Sequence, residues 1–320
     1  MDNQFLDFDD NNKHATREAF GKTLLELLDD GKDVVAVDAD LTGSTTLKKL
    51  NENYSDRLVN VGIAEQNMID VAAGLSLTGS VAFTGSFAVF GTGRCYDQIR
   101  NTVCYSNLNV KVCPTHAGVS VGPDGGSHQM LEDIALMNVL PRMRVLVPSD
   151  YNSCSQALRL AYETKGPFYV RQGRAKVPQV YSSEVKMQVG GSFKLKEGKD
   201  VTILANGVEV AESLKAATEL EEQGITCDVI DVYSVKPLDE EAIFNSVKKT
   251  GHVVVCEEHS VYGGLCSSVA LLLAEKCPCK MSFVAVKDKF GTSGEFEELL
   301  VEFGLDASSI VKSVQGLLSQ

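Results

Sequence analysis

The sequence predicts an α/β protein of two doubly wound domains, a larger one with a mostly parallel sheet followed by a smaller one. Short apolar runs that suit strands alternate with amphipathic stretches that suit helices. This alternation occurs twice, before and after a polar segment near Val180. Strands that alternate with helices form parallel sheets covered on both faces. The predicted boundaries are a first domain over 14–178, a linker over 179–197 and a second domain over 198–320.

The first domain opens with a helix over Thr16–Leu28, because apolar residues recur at helical spacing behind a Thr-Arg-Glu start. A turn, DDGK, leads into a strand within 33–41. Each later strand is followed by a loop with glycine or polar residues, and a predicted helix lies between most successive strands. The other predicted strands lie within 58–62, 79–90, 109–117, 143–150 and 167–174, and the other helices within 65–74, 94–105, 131–140 and 152–163.

The second domain repeats this order on a smaller scale. The polar stretch 181–200 contains glycine and lysine and is typical of a linker or an edge hairpin. Neither domain has a GxGxxG motif that follows a strand and opens a helix, or a Walker-type GK[ST] loop, so nucleotide binding through either motif is unsupported. The predicted strands lie within 200–207, 226–233, 252–258 and 281–288, and the predicted helices within 209–224, 239–251 and 263–276.

The charge balance limits the possible partners. Thirty basic residues against forty-three acidic ones give a net charge of −13, which argues against non-specific binding to nucleic acid or to an anionic membrane. An anionic substrate would need a few local cations. The first twenty residues have neither the basic nor the apolar region of a signal peptide, and no run approaches ~18 apolar residues. We therefore expect a cytoplasmic protein.

Nine scattered cysteines fit that compartment as reduced thiols, mostly within apolar strand-like or helix-like runs. Cys277 and Cys279, in KCPCK, are the one close pair. Proline separates them, and no second cysteine or histidine pair follows at a zinc-finger spacing. This segment therefore predicts a structural loop, and the sequence predicts no metal ligands.

The stretch Leu58–Gly74, LVNVGIAEQNMIDVAAG, predicts a short strand, a turn and a helix that begins at Glu65. An acid at a helix N-terminus is commonly a cap, because free backbone N–H groups and the helix dipole favour negative charge there. Glu65 is either such a cap or a functional carboxylate. The choice depends on what lies around it.

Residues Thr115–Gln129, THAGVSVGPDGGSHQ, form a glycine-rich loop after a predicted strand, where open parallel sheets place ligands. The loop carries His116, Asp124 and His128. Histidine there can donate to substrate oxygens or move protons near neutral pH, although either histidine could equally hydrogen-bond the backbone of a turn. Zinc is disfavoured, because the histidines are twelve residues apart with no HxxxH pair or suitable cysteine.

Phe87 and Phe90 lie three residues apart in FTGSFAVFGTGR. Phenylalanines at this spacing commonly belong to a core. An aromatic wall beside a buried acid would instead suit a flat heteroaromatic cofactor.

Four motifs, GIAEQNM, FTGSFAVF, THAGVSVGPDGGSHQ and PFYVRQGR, occur in this order and resemble the pyrimidine-binding half of transketolase and of 1-deoxyxylulose-5-phosphate synthase. EEHSVYGG and VKDKFGTSG resemble the C-terminal domain of the same family. The resemblance covers about residues 14–315.

The resemblance implies thiamine diphosphate as the cofactor. Glu65 would hydrogen-bond the aminopyrimidine N1′, so that the cofactor supplies its own base. Phe90 would stack on the pyrimidine with Phe87 beside it, and Ile63 would support the bent cofactor. The family's third pocket aromatic would fall at Gly93, so we expect a more open pocket here.

The resemblance also implies substrate contacts. Asp124 would bind a sugar hydroxyl, and His116 and His128 would lie near the phosphate and the reacting carbons as catalytic residues. The positions that match the family's phosphate-binding residues are Arg17, Ser44 and Arg171. Arginine offers a two-pronged donor for phosphate, which supplies the local cations that an acidic protein needs.

The chain lacks the family's diphosphate-binding motif, a GDG followed by an asparagine pair. Mg²⁺ (or Ca²⁺) requires several oxygen ligands, which Glu65 and two phenylalanines do not provide. The chain therefore resembles the C-terminal subunit of a split transketolase, with a separate N-terminal subunit that binds the diphosphate and the metal. The expected assembly is a heterotetramer of two such pairs, with homodimers when the chain is alone and phosphorylated sugars as substrates.

Three alternatives remain open. A 1-deoxyxylulose-5-phosphate synthase-like subunit is disfavoured because that enzyme is usually unsplit. A 2-oxoacid dehydrogenase β-like subunit would be expected to lack the DGxxH loop and the second sugar-side histidine, whereas His116 and His128 are present. A non-catalytic interaction subunit would not be expected to keep Glu65, Asp124, His128 and Arg171 together.

Overall fold

The computed structural model describes residues 4–319, which form two α/β domains, and the predicted fold class is confirmed. The strands are β1 (Leu6–Ala15), β2 (Val34–Asp38), β3 (Leu58–Asn60), β4 (Val81–Gly85), β5 (Val110–Val112), β6 (Arg144–Leu146), β7 (Phe168–Val170), β8 (Lys176–Tyr181), β9 (Phe193–Lys196), β10 (Val201–Ala205), β11 (Cys227–Asp231), β12 (Ser234–Lys236), β13 (His252–Ser260) and β14 (Lys280–Val286).

The helices alternate with these strands. They are α1 (Arg17–Asp29), α2 (Lys48–Asn53), α3 (Glu65–Ser76), α4 (Tyr96–Gln98), α5 (Asp133–Asn138), α6 (Tyr151–Glu163), α7 (Glu209–Glu222), α8 (Glu240–Thr250), α9 (Leu265–Lys276), α10 (Phe296–Phe303) and α11 (Ala307–Leu318). Two π-helical segments, Val89–Arg94 and Ile99–Tyr105, flank α4, and short 3₁₀ turns cover Ser55–Arg57 and Val119–Asp124.

The first sheet has seven strands in the order β12, β6, β7, β5, β4, β2, β3. All neighbours are parallel except β12, which runs antiparallel to β6. Helices α1 and α6 pack on one face and α3 on the other. Every residue of β2 is buried, as a strand covered on both faces requires. The carboxyl ends of six parallel strands therefore share one edge.

The second sheet has the order β14, β13, β10, β11, β9. Helices α7 and α11 cover one face, and α8 and α9 cover the other. The terminal helices α10 and α11 are additions to the predicted elements. Each buries one apolar stripe: α11 packs on α7, β13 and β14, whereas α10 lies against the 3₁₀ turn Val119–Asp124 of the first domain.

The segment predicted as a linker over 179–197 contains part of the second sheet. Strand β9 pairs antiparallel with β11, and Phe193 and Leu195 are buried while Lys194 and Lys196 are half-buried. This two-residue alternation fits a strand with one face on a core. The second domain also contributes β12 to the edge of the first sheet, so the two domains share a sheet as well as a contact surface.

The helix predicted from Arg94 begins five residues earlier, at Val89. The carbonyl of Phe87 accepts hydrogen bonds from the N–H groups of Phe90 and Gly91, at 3.1 and 2.7 Å, which starts the helical turns. The shift places Phe90 and Arg94 within one helical turn of each other. Side chains at this separation meet on a helix surface.

Two negative findings apply to residues 4–319. No helix there has both the length and the apolar character needed to cross a membrane. The same residues hold no cluster of three or more His, Cys, Asp or Glu side chains that could bind a metal ion. The cysteines are free thiols, and Cys277 and Cys279 are half-buried in the turn before β14.

Candidate functional site

Several of the predicted site residues lie at the carboxyl edge of the first sheet. Ser44, Glu65 and Phe87 follow β2, β3 and β4, and His116 follows β5. A parallel bridge pairs Phe87 with Thr115, so the segments that carry Phe87 and His116 run side by side. This is the edge at which doubly wound sheets bind ligands.

Glu65 is the first residue of α3, and only 4% of its side chain is exposed. Its carboxylate accepts hydrogen bonds from Arg94, whose Nη1 lies 3.0 Å from both Oε1 and Oε2. The partner of this carboxylate is thus a guanidinium. Sequence reasoning missed Arg94, although a cation directly after the position of the absent third aromatic was a signal that could have been used.

Phe87 and Phe90 form a stacked pair, with ring centroids 5.9 Å apart and planes 13° apart. The guanidinium carbon of Arg94 lies 4.5 Å from the centroid of Phe90. The ring of His128 stands edge-on to Phe90 at 5.5 Å and 77°. Arg94 therefore contacts both Phe90 and Glu65. His128 brings the glycine-rich loop next to the same ring.

Ile63 and Gly93, the two other positions expected near the pyrimidine ring, are both exposed. Ile63 lies two residues before Glu65 and is 78% exposed. A Cβ added at Gly93 would meet only the Cε of Met130, at 3.8 Å, which is an ordinary contact. There is thus space for a side chain at Gly93, the position where the third aromatic was expected.

His116 is held firmly in an unusual conformation. Its φ of 61° lies in the left-handed region, and its ring stacks on Phe87 at 3.8 Å. Nε2 lies 3.2 Å from Nη1 of Arg17, and Nδ1 lies 2.7 Å from Oγ1 of Thr115. Because a guanidinium only donates, Nε2 accepts and the ring proton is on Nδ1. Burial, with Arg17, Arg174 and His128 nearby, lowers the pKa of His116 to about 3.

Arg17 brings a cation to the same place. Its Nη1 also donates to the backbone carbonyl of Ser44 at 3.1 Å. Its Nε is buried and has no hydrogen-bond partner within residues 4–319. Burial, and then the like charge of Arg174, lowers the pKa of Arg17. A buried unpaired donor beside a second cation is an arrangement that an anion would stabilise.

Asp124 pairs with Arg174, a residue that the sequence analysis did not single out. Arg174 Nη1 lies 3.5 Å from Oδ1 of Asp124 and donates to the carbonyl of Val121 at 2.6 Å. About a third of each side chain is exposed. The backbone before Arg174 is tied to α1, because Gly173 N–H donates to Oγ1 of Thr16 at 2.7 Å. Arg174 therefore faces the same region as Arg17 and His116.

Arg171 lies elsewhere, inside a buried network that joins the two domains. Its Nε donates to Asp133 at 2.8 Å, and its Nη2 donates to the carbonyl of Glu258 at 2.9 Å. Its Nη1 lies 3.4 Å from the carboxylate of Glu258. Only 6% of the side chain is exposed. The phosphate-binding role expected for Arg171 stays a prediction, but all three of its nitrogens already have partners.

Arg171 affects the two acids of this network differently, because the pKa of Asp133 is lowered while burial raises the pKa of Glu258. Burial alone would raise the pKa of Asp133, but Arg171 and His259 hold it below its usual range. Burial alone would lower the pKa of Arg171, but Asp133 and Glu258 raise it. Glu258 also accepts from the N–H of Ser120 at 2.6 Å. The network therefore fixes the start of the glycine-rich loop.

Glycine is required where this loop approaches Glu258. Gly118 has a φ of 83°, and a Cβ there would come within 2.1 Å of the Glu258 carboxylate. Any side chain would therefore both strain the backbone and clash with the second domain. The contact holds the loop that carries Asp124 and His128 against the second domain.

The chain matches two family descriptions, "Transketolase, pyrimidine binding domain" over residues 12–179 and "Transketolase, C-terminal domain" over residues 191–310. A Methanocaldococcus jannaschii protein named for a transketolase C-terminal section is 42% identical over 301 residues, which are 93% of this chain and 94% of that protein. A 6-deoxy-6-sulfo-D-fructose transketolase subunit of a Clostridium species is 40% identical, covering 94% of both chains.

A solved structure titled "Split gene transketolase, inactive beta4 tetramer" is also similar. It is 45% identical, with a TM-score of 0.88, and the match covers 96% of this chain and 99% of that one. Both domains are therefore shared with that protein.

Proposed function

The chain belongs to the transketolase family, and from this premise we propose that it is the C-terminal subunit of a split transketolase. The proposed reaction transfers a two-carbon ketol unit from a ketose phosphate to an aldose or aldose phosphate acceptor. A separate subunit would bind the diphosphate of the cofactor.

The observation that carries the proposal is a buried carboxylate beside an aromatic face at the ligand-binding edge of the sheet. Glu65 is 4% exposed, and Arg94 contacts both Glu65 and the ring of Phe90. These residues fit the pyrimidine half of thiamine diphosphate, because a flat heteroaromatic ring needs a stacking surface and a hydrogen-bonding acid. When bound, the cofactor supplies a carbon that takes up and releases the two-carbon unit. Glu65 would share a proton with a pyrimidine ring nitrogen, and Phe87, Phe90 and Ile63 would orient the ring.

The substrate would lie along the glycine-rich loop and the start of α1. Asp124 would bind a hydroxyl, and His128, at the edge of Phe90, would lie near the reacting carbons. His116 is held neutral with its proton on Nδ1, so it would position Arg17 and the substrate by hydrogen bonds rather than as a cation.

The anionic end of the sugar would bind Arg17, with Ser44 beside it. Arg174 is better placed than Arg171 to be the second arginine, because it is part-exposed and faces Arg17 while Arg171 is fully engaged. Arg171 would act by holding the loop and the domain contact in place.

The metal and the diphosphate would belong to the partner subunit. Within residues 4–319 no cluster of acidic and histidine side chains suits Mg²⁺ or Ca²⁺. The exposed Ile63 and the open side at Gly93 are features that a second chain could cover. The 45% identical protein is titled an inactive β4 tetramer, which supports a requirement for a partner here. We propose a heterotetramer of two pairs.

Reconstitution tests the proposal. The purified chain should show no ketol transfer, and adding the partner subunit with thiamine diphosphate and Mg²⁺ should produce it. Glu65→Gln in the reconstituted enzyme should lower kcat at least about 100-fold, the scale of losing one proton-transfer group. Full turnover by the isolated chain would contradict the split-subunit proposal, and full turnover by Glu65→Gln would contradict the assigned role of that acid.

A further inference from the structure

We propose that Arg94 is a built-in competitor of the cofactor's pyrimidine, because its guanidinium holds both groups that the pyrimidine needs. It hydrogen-bonds the carboxylate of Glu65 and lies over the face of Phe90. The inference rests on the proposed function. It adds that cofactor binding is an exchange in which Arg94 must leave.

The geometry makes the two occupants mutually exclusive. A guanidinium and an aminopyrimidine are both flat, form hydrogen bonds in their plane and stack through their faces. Arg94 Nη1 reaches both oxygens of Glu65 at 3.0 Å, and its guanidinium carbon is 4.5 Å from the centroid of Phe90. A ring that used the same oxygens and the same face would have to displace this group.

The exposure of the two partners decides which one moves. Glu65 is fixed at the first turn of α3 and is 4% exposed, whereas 48% of the Arg94 side chain is exposed. A buried carboxylate without a partner is costly, so Arg94 stabilises Glu65 while no other donor is present. Arg94 itself can return to water at little cost. Gly93 beside it has no side chain, and a Cβ there would have only one contact within 4 Å, so the exit is open.

If Arg94 must leave for the cofactor to bind, removing it should lower the unfolding temperature of the chain but raise the affinity for the cofactor. Without Arg94, the chain alone loses the partner of a buried acid and should unfold at a lower temperature. The cofactor no longer has to break an ion pair, so it should bind more tightly. A half-exposed pair of this kind contributes up to about 1 kcal/mol, which should change the Kd about two- to fivefold. A side chain that merely held the helix together would lower the unfolding temperature without tightening binding.

The test is calorimetric titration of thiamine diphosphate, with Mg²⁺ present, into the complex of the full chain with its partner subunit. Arg94→Gln should lower the Kd about two- to fivefold and should lower the Tm of the chain alone. Arg57→Gln is the matched control, because Arg57 precedes β3 at the opposite edge of the sheet and pairs with Asp33. The control should leave the Kd unchanged.

A double-mutant cycle isolates the exchange. In a Glu65→Gln background there is no ion pair to break and only the contact of Arg94 with Phe90 remains, so adding Arg94→Gln should lower the Kd by a smaller factor than it does beside Glu65. Unchanged or weaker binding by Arg94→Gln alone would overturn this inference and leave the proposed function standing. If the wild-type complex does not bind thiamine diphosphate at all, both the inference and the proposed function fail.

Discussion

Arg17 donates a hydrogen bond from Nη1 to Nε2 of His116, and the two atoms are 3.2 Å apart. The contact fixes the histidine as an acceptor on that nitrogen. It also places a permanent positive charge against a ring that is already buried and stacked on Phe87. Burial, and then the charge of Arg17, oppose protonation, so the pKa of His116 falls to about 3.

His116 should therefore stay neutral across the physiological range. Its ¹⁵N imidazole signals should show the Nδ1–H form without change from pH 8 to pH 5, with the signals assigned by their loss in His116→Gln. Because the pKa is lowered from 6.5 to about 3 on folding, the folded form loses stability as the pH falls from 6.5 towards 3. The acid sensitivity of the free energy of unfolding should be smaller in His116→Gln. Titration of the wild-type signals near pH 6.5 would contradict the geometry.

The class of fold and most elements could be predicted because they depend on local periodicity. Strand β2 and helices α1 and α6 are each defined by an apolar pattern that is visible within a few residues. The pairing of β12 with β6 could not be predicted, because it joins residues about ninety positions apart and is decided by the packing of the domains.

Motif positions identified the segments that meet at the edge of the sheet, but not which side chain of a segment faces it. Arg171 and Arg174 are three residues apart in one loop, yet Asp133 and Glu258 bury the first and leave the second part-exposed. The sequence does not reveal that choice, because both acids are distant in the chain.

Substitution of Arg174 should reduce activity, whereas substitution of Arg171 should mainly reduce stability. In the reconstituted enzyme, Arg174→Gln should reduce kcat/KM for a ketose phosphate about 10- to 100-fold, since charge-assisted hydrogen bonds to an anion contribute about 1.5–3 kcal/mol. Its free energy of unfolding should change little. Steady-state kinetics and urea unfolding measure the two effects.

The main effect of Arg171→Met should be on the free energy of unfolding rather than on kcat/KM. It leaves the buried Asp133 and Glu258 without their cation, which should reduce the free energy of unfolding by about 3–5 kcal/mol. If Arg171→Met folds with wild-type stability but loses the preference for phosphorylated substrates, Arg171 rather than Arg174 binds the anion.

Glu209, the first residue of α7, should make the stability of the second domain fall as the pH rises. It is fully buried, and neither carboxylate oxygen has a hydrogen-bond partner among the described residues. Burial, together with Glu212 and other nearby acids, raises its pKa well above 4.5. The folded form keeps the proton while the unfolded chain loses it, so stability falls as the pH rises above about 4.5. In urea unfolding, the free energy of unfolding of Glu209→Gln should increase relative to that of the wild type as the pH rises. Glu219→Gln, on the exposed face of the same helix, is the control and should show no such increase.

Gly93→Tyr should supply the third aromatic that the resemblance implies and this chain lacks. The substitution should be tolerated, because an added Cβ meets only Met130 Cε at 3.8 Å and the backbone of Gly93 is not in the left-handed region. An aromatic contact contributes about 0.5–1.5 kcal/mol, so the Kd of the complex for thiamine diphosphate should fall about two- to tenfold. Gly93→Ala is the control, since it adds the Cβ without the ring. Equal affinities for the tyrosine and alanine variants would mean that the ring at this position does not face the cofactor.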